Sequence, residues 1–312
     1  MCNRADKVFL LTYAFWILSL FSYTGDFEDL GSSAKAMGKG SAAVSCLLDA
    51  GTIYYNPAFT SFFSKRELTF LHSENFGGIF RNDYLGFIYP FANYAVGLGI
   101  YANFVPGVKI TKLLNETLPP SPENPVIVER IVTTYDGIFY LNYAHRLLPG
   151  ENELSLGVNG KIFYRSLGLE NAFGFGADFG IGFKRKDLAL GLRLRNLFAS
   201  PLLWSDTTEY VKMRGTIGIT KVSRLFGNDF SLSYEIEGNL ENLPFYANFG
   251  LEYTWRFFSL RVGLLRRSPT FGFGIVYKNL YCDYAYERSR YPEPESRELP
   301  PSPIKISGGV RF

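Results

Sequence analysis

The sequence predicts an all-β fold: a transmembrane antiparallel β-barrel of about 14 strands, with a short N-terminal hatch inside its lumen. Three observations predict it. Hydrophobicity alternates with period two from Glu67 onward. Many of the alternating segments run about 9–14 residues, enough to cross a bilayer at a tilt, where soluble strands average about 5–6. The connections between segments divide by parity into long and short.

Alternation is clearest in the middle of the chain. Phe173, Phe175, Ala177, Phe179, Ile181 and Phe183 share one face, opposite Gly174, Gly176, Asp178, Gly180, Gly182 and Lys184. Leu188, Leu190, Leu192 and Leu194 alternate with Ala189, Gly191, Arg193 and Arg195. Phe230, Leu232, Tyr234 and Ile236 alternate with Ser231, Ser233, Glu235 and Glu237. A soluble sandwich also alternates. Here the apolar face is bulky and aromatic strand after strand, while the other mixes glycine with charge. That is a lipid-facing exterior around a wet interior.

Fourteen segments follow: 67–73, 82–90, 94–104, 131–146, 152–165, 172–185, 187–197, 208–222, 229–237, 245–255, 257–266, 270–278, 279–288 and 304–312. Odd-numbered connections, such as 105–130, 198–207 and 289–303, are mostly long. Even-numbered ones are short: 91–93, 147–151, Lys186 alone, 223–228, Arg256 alone and a direct junction at Lys278-Asn279. Bacterial outer-membrane barrels have short periplasmic turns and long outer loops. An even strand count puts both ends of the barrel on the periplasmic side. Two outer loops, 118–125 and 291–303, are rich in proline, which cannot donate to a strand ladder.

Composition agrees. The 312 residues include 29 Phe, 21 Tyr and 31 Gly but only 2 His, and mean hydropathy is near zero. An apolar exterior and a polar interior average to that value. Net charge is +3, with no basic cluster interleaved with stacking aromatics, so nucleic acid is not an expected partner. Val8 to Tyr23 is a 16-residue apolar run after Arg4 and Lys7. It suits a signal-peptide core better than a spanning helix. The expected organisation is signal peptide 1–24, hatch 25–63 and barrel 64–312.

Chemistry-bearing motifs are sparse. His72 and His145 stand at strand ends with no Ser nucleophile motif near them, and there is no G-x-S-x-G, Walker loop or H-E-x-x-H. No enzyme activity, cofactor or metal site is expected. Cys2 lies before the apolar run, and nothing argues that Cys46 and Cys282 meet. Gly38-Lys-Gly-Ser-Ala-Ala43 matches a dinucleotide fingerprint, but no buried strand precedes it and no βαβ units follow. Asp178, Arg193, Arg195, Glu235, Glu237, Glu252 and Arg261 fall on the lumen face, where the expectation is that they pair with one another.

The stretch 34–58 carries a resemblance. Ala34, Lys35, Ala36, Met37, Gly38, Gly40, Ala42, Asp49, Tyr55, Asn56, Pro57 and Ala58 resemble, in order and spacing, the start of mature FadL-like outer-membrane proteins, especially the PorV/PorQ branch. Lys39 and Phe59 depart from that pattern. The resemblance implies a hatch built on Met37, Gly38, Gly40, Asp49, Tyr55, Asn56 and Pro57. It also implies a non-enzymatic barrel in the bacterial outer membrane. For the PorV/PorQ branch the implied role is surface handling of secreted proteins in type IX-like secretion. For the wider superfamily it is a plugged channel for long-chain fatty acids or other hydrophobic small molecules. Phe312, ending an alternating strand, resembles the signal read by the barrel assembly machinery. Outer-membrane lipid is the remaining expected partner.

Overall fold

The computed structural model describes residues 23–24, 26–148, 150–239, 245–288 and 302–312. The expected signal peptide lies outside them, apart from Tyr23 and Thr24, which pair with Tyr210 and Val211. Most of the second Pro-rich loop also lies outside.

Fourteen strands form the wall: β1 Glu67–Asn75, β2 Phe80–Pro90, β3 Tyr94–Leu113, β4 Val126–Leu148, β5 Asn152–Ser166, β6 Asn171–Arg185, β7 Leu188–Arg195, β8 Arg214–Leu225, β9 Asn228–Asn239, β10 Phe245–Trp255, β11 Phe258–Leu265, β12 Ser268–Tyr277, β13 Leu280–Glu287 and β14 Ile304–Arg311. Each pairs antiparallel with its chain neighbour, and β14 pairs with β1, Val310 opposite Leu68. Closure removes the free sheet edges that lipid cannot hydrogen-bond. Among the described residues no helix is long and apolar enough to cross a membrane.

Period two decides the two faces. On β6, Phe173 and Phe175 are exposed on the exterior, while Ala172, Gly174, Asp178, Gly180 and Gly182 are buried inside. Two belts of aromatic rings lie on the exterior across β2–β6. Phe104, Tyr135, Tyr164 and Phe173 touch in series, with centroids 5.2, 5.8 and 5.0 Å apart. Near the short turns Tyr89, Phe91, Tyr94 and Tyr143 do the same at 4.8, 4.4 and 6.0 Å. Along β4 the belts are separated by the eight steps from Tyr135 to Tyr143, about 26 Å at 3.3 Å per residue. At a strand tilt of about 40° this is about 20 Å of height, a little under the about 25 Å apolar band of an outer-membrane barrel.

Four details differ from the sequence reading. The span 105–130 is largely strand rather than loop. β3 and β4 run on past the wall as a two-stranded ribbon, with register shifts at Val105/Val108 and Ile110/Thr111. Its Thr-, Val- and Lys-rich pattern lacks a lipid-facing stripe, so a search for membrane-length alternation passes over it. The eighth strand begins at Arg214 rather than at 208. Thr208–Val211 instead pairs with Ser200–Leu203 in a separate hairpin, because Asn196, Phe198 and Ala199 take positive φ and break the wall strand. The turns read as one residue or none have two: 186–187, 256–257 and 278–279, led by Lys186, Arg256 and Lys278 at φ 52°, 55° and 56°. A left-handed residue at the first position of a two-residue turn matches the twist of tight hairpins. Finally, 147–151 and 223–228 shorten to 149–151 and 226–227 as pairing extends along the strands.

Candidate functional site

Residues 26–63 pack against the inward faces of strands all round the wall. The segment holds a short helix, α1 (Ala34–Gly38), capped by the Ser33 hydroxyl, then a helical turn, α2 (Thr52–Tyr55), and a 3-10 helix at Pro57–Phe62. Pro57 opens that last turn with its φ already set, and the Asn56 side chain accepts from the Ala58 N–H. A segment this short cannot bury its own apolar groups, and the wall completes the packing: Met37, Ile53, Ala58 and Phe59 are each no more than 2 % exposed.

Its backbone bonds to the wall on every side. Ala43 and Val44 N–H donate to Glu235 Oε2, both at 2.9 Å. Gly40 N–H donates to Thr270 Oγ1 at 3.0 Å. Asn56 Nδ2 donates to the Val44 carbonyl at 2.7 Å and to Ile181 and Leu192 carbonyls at 3.2 and 3.4 Å. Thr60 and Ser61 bond Asn142 and Ser155 at 2.7 and 2.8 Å. Tyr101 and Asn103 donate to the Phe27 carbonyl. Wall glycines permit this approach. A β-carbon on Gly191 would lie 2.1 Å from Val44 O, and one on Gly157 would lie 2.3 Å from Ala58 N.

At the long-loop end this packing leaves a cavity of about 380 Å³. Leu30, Met37, Tyr54, Phe76 and Leu265 give it apolar surface, and Arg193, Arg195, Arg266 and Lys305 give it cations. Beneath it Asp29 is ringed by Arg214, Arg195 at 3.8 Å and Arg266 at 3.5 Å. Burial works to raise the Asp29 carboxyl, but Arg214, Arg266 and Arg195 together hold it below its ordinary 3.8. Glu237 meets Arg193, Arg214 and Arg266 at 3.5, 3.6 and 3.2 Å. Around these two carboxylates stand four guanidiniums; over the cavity lining as a whole Arg193, Arg195, Arg266 and Lys305 face Asp29, Glu235, Glu237 and Glu287. Buried Arg193 Nε has no hydrogen-bond partner.

Of the charges read from the sequence, Arg193 pairs with Glu237, and Arg261 with Glu252. The rest do not pair within that set. Asp178 meets Lys161 at 2.8 Å, Arg195 reaches Asp29 and lies over the Tyr54 ring, and Glu235 binds backbone amides. Arg261 also reaches Asp283 at 2.6 Å. The reason is that the interior is filled: the inner segment intervenes between opposite walls and supplies the partners itself. Lys161, fully buried between Glu28 at 3.0 Å and Asp178, was legible as an inward position but not as a site. Glu28 and Asp29 have no periodicity to mark them.

The remaining motif residues also face inward. The Asp49 carboxylate accepts from the Ser33 hydroxyl at 2.6 Å and from Gly51 N–H at 2.8 Å, and burial pushes it up to about 7. Gly38 lies against Gly272, and Gly40 takes φ 61°. Tyr55 is buried, its hydroxyl against Gly31. Phe312 stacks on Phe87 at 6.4 Å, and its backbone pairs with Arg66. Cys46 is buried and Cys282 exposed, both free. Among the described residues no group of three His, Cys, Asp or Glu is placed to hold a metal.

No family model and no curated protein matches the chain. Solved structures do. A deltaS2 mutant of the TodX monoaromatic hydrocarbon channel superposes with TM-score 0.59 at 12% identity, over 92% of this chain and 98% of that one. CdiB from Acinetobacter baumannii gives TM-score 0.41 at 10% identity, over 80% and 60%. Outer membrane phospholipase A from Escherichia coli gives 0.35 at 11%, over 82% and 98%. The likeness to TodX shows the fold, and none of the comparisons shows the PorV/PorQ branch. Lipid-facing exterior, aromatic belts and this likeness together make the chain an outer-membrane β-barrel protein.

Proposed function

We propose that the chain is a non-enzymatic, plugged outer-membrane channel that takes up small amphiphiles, hydrophobic molecules carrying an acidic group, with residues 26–63 as the plug. The observation that carries this is the cavity above the inner segment: about 380 Å³, part apolar, with four guanidinium groups clustered around Asp29 and Glu237 on one side. Long-chain fatty acids have that chemistry, and a cavity of this size sits within the range of small-molecule sites. The likeness to TodX, a monoaromatic hydrocarbon channel, supports the hydrophobic half of that chemistry; the acidic group rests on the guanidiniums alone.

The reading as a PorV/PorQ protein in secretion rests on the motif Ala34–Ala58. Its residues are accounted for as packing and bonding positions of the inner segment, which either role requires. One experiment separates the two. The protein is purified in mild detergent and its companions identified by native mass spectrometry. A carboxylate amphiphile that is lost on Arg193→Ala with Arg266→Ala supports uptake. Co-purification of a secreted protein, with no amphiphile, supports secretion and overturns the uptake reading.

A further inference from the structure

A second cavity, of about 120 Å³, lies at the short-turn end beneath the inner segment, lined by Lys39, Cys46, Phe59, Phe62 and Glu252 among others. Three consecutive residues separate it from the upper cavity. Ser41 lines the upper one, Lys39 the lower one, and Gly40 stands between. The same two strands run past both: Glu235 and Asn248 border the upper cavity, Ser231 and Glu252 the lower. We infer that the transport path runs along β9 and β10, and that its barrier is the single turn Lys39–Val44, latched by Glu235. This rests on the uptake reading.

The latch is specific. Glu235 Oε2 holds the Ala43 and Val44 amides, and its other oxygen accepts from Asn248 Nδ2 at 3.1 Å. Lys39 Nζ donates to Ser231 Oγ at 3.3 Å. The turn stores conformational cost, since Ser41 sits at φ 56° without being glycine. Past the turn, the segment is fastened to the opposite wall through Thr60–Asn142 and Ser61–Ser155. The turn can swing while 57–62 stays in place when the Gly40–Thr270 and Asn56–Val44 bonds release together with the Glu235 latch, and its swing joins the two cavities. Glu235 is a positioning residue: it acts through the backbone it holds.

The test uses conductance in potassium chloride across planar bilayers, in a Cys46→Ser, Cys282→Ser background. Each variant is first checked for the heat-modifiable gel mobility of a closed barrel. Glu235→Gln keeps the side-chain volume and weakens the latch, so open probability should rise at least tenfold. Adding Val44→Cys and Gly218→Cys allows the turn to be pinned. A β-carbon on Gly218 would lie 2.6 Å from Val44 Cγ1, which brings the two β-carbons near the about 3.8 Å of a disulfide. Oxidation should abolish the openings and reductant should restore them. If Glu235→Gln conducts like the unaltered protein, or the oxidised pair stays open, the assignment of the barrier is overturned. Deletion of 27–63 is the separate arm. If the deletion conducts while the latch variants fail, the plug stands and the barrier lies elsewhere. If the deletion does not conduct, the uptake reading itself falls.

Discussion

Substituting Gly191 by alanine should unseat the inner segment and leave the barrel standing. The added β-carbon points inward and would lie 2.1 Å from Val44 O, 2.6 Å from Val44 C and 3.0 Å from Ser45 Cα. Ordinary contact begins at 3.4 Å, so the Val44 backbone must retreat by about 1.3 Å. The obstacle is backbone on both sides, with no flexible side chain to yield. Overpacking of a filled interior costs about 1–3 kcal/mol. The retreat also strains the 2.7 Å bond from Asn56 Nδ2 to Val44 O, and a buried carbonyl left unpaired costs about 1–3 kcal/mol more. Together that is about 2–6 kcal/mol against the seated state. At about 1.4 kcal/mol per tenfold, even the low end raises the unseated population roughly 30-fold. Lys39 is 3 % exposed when seated, so tryptic cleavage after it reports that population. Gly160→Ala is the control, because no atom lies within 4 Å of its β-carbon. Cleavage should speed by roughly 30-fold or more in the first variant and not at all in the second. Equal rates in Gly191→Ala and the unaltered protein would refute the claim that this glycine exists for the approach of the segment.

Three further outcomes are expected. Asp49 is raised to about 7 from 3.8, so the seated segment binds a proton more tightly than the released one. Its contribution to seating is full below pH 3.8, falls as pH rises toward 7 and is absent above. Amide-exchange protection of residues 34–55, corrected for intrinsic rates, should therefore decline from pH 5 to 7, and Asp49→Asn should flatten that slope. Replacing Lys161 by methionine leaves Glu28 and Asp178 buried without their cation. Breaking such a pair costs about 3–5 kcal/mol, to be read as a lowered unfolding midpoint in denaturant, and an unchanged midpoint would show the pair to be dispensable. Deleting Phe312, which stacks on Phe87 and closes the β14 edge through Arg66, should reduce the heat-modifiable fraction while synthesis continues; undiminished assembly removes the proposed signal.

Period two alone is enough to set the wall. Side chains on a strand alternate without exception, so Phe173, Phe175 and Phe179 had to share one side and Asp178, Gly180 and Gly182 the other, whatever the neighbours were. Lipid outside and water inside then select which face is which, and short turns force antiparallel order. Where period two gave way, legibility ended. The β3–β4 ribbon beyond the belts has no lipid stripe, and the break at Asn196–Ala199 depends on backbone angles that no pattern announces. The site, by contrast, is made of contacts between distant parts of the chain. Glu235 binds amides from 43 and 44, and Gly191 meets Val44, across sequence separations of well over a hundred residues. Alternation alone puts Gly157 inside and Gly160 outside, but only the fold brings the Ala58 peptide against Gly157. Such partners are fixed by how a closed wall and a folded segment share one interior volume, and that constraint is written in no local stretch of residues.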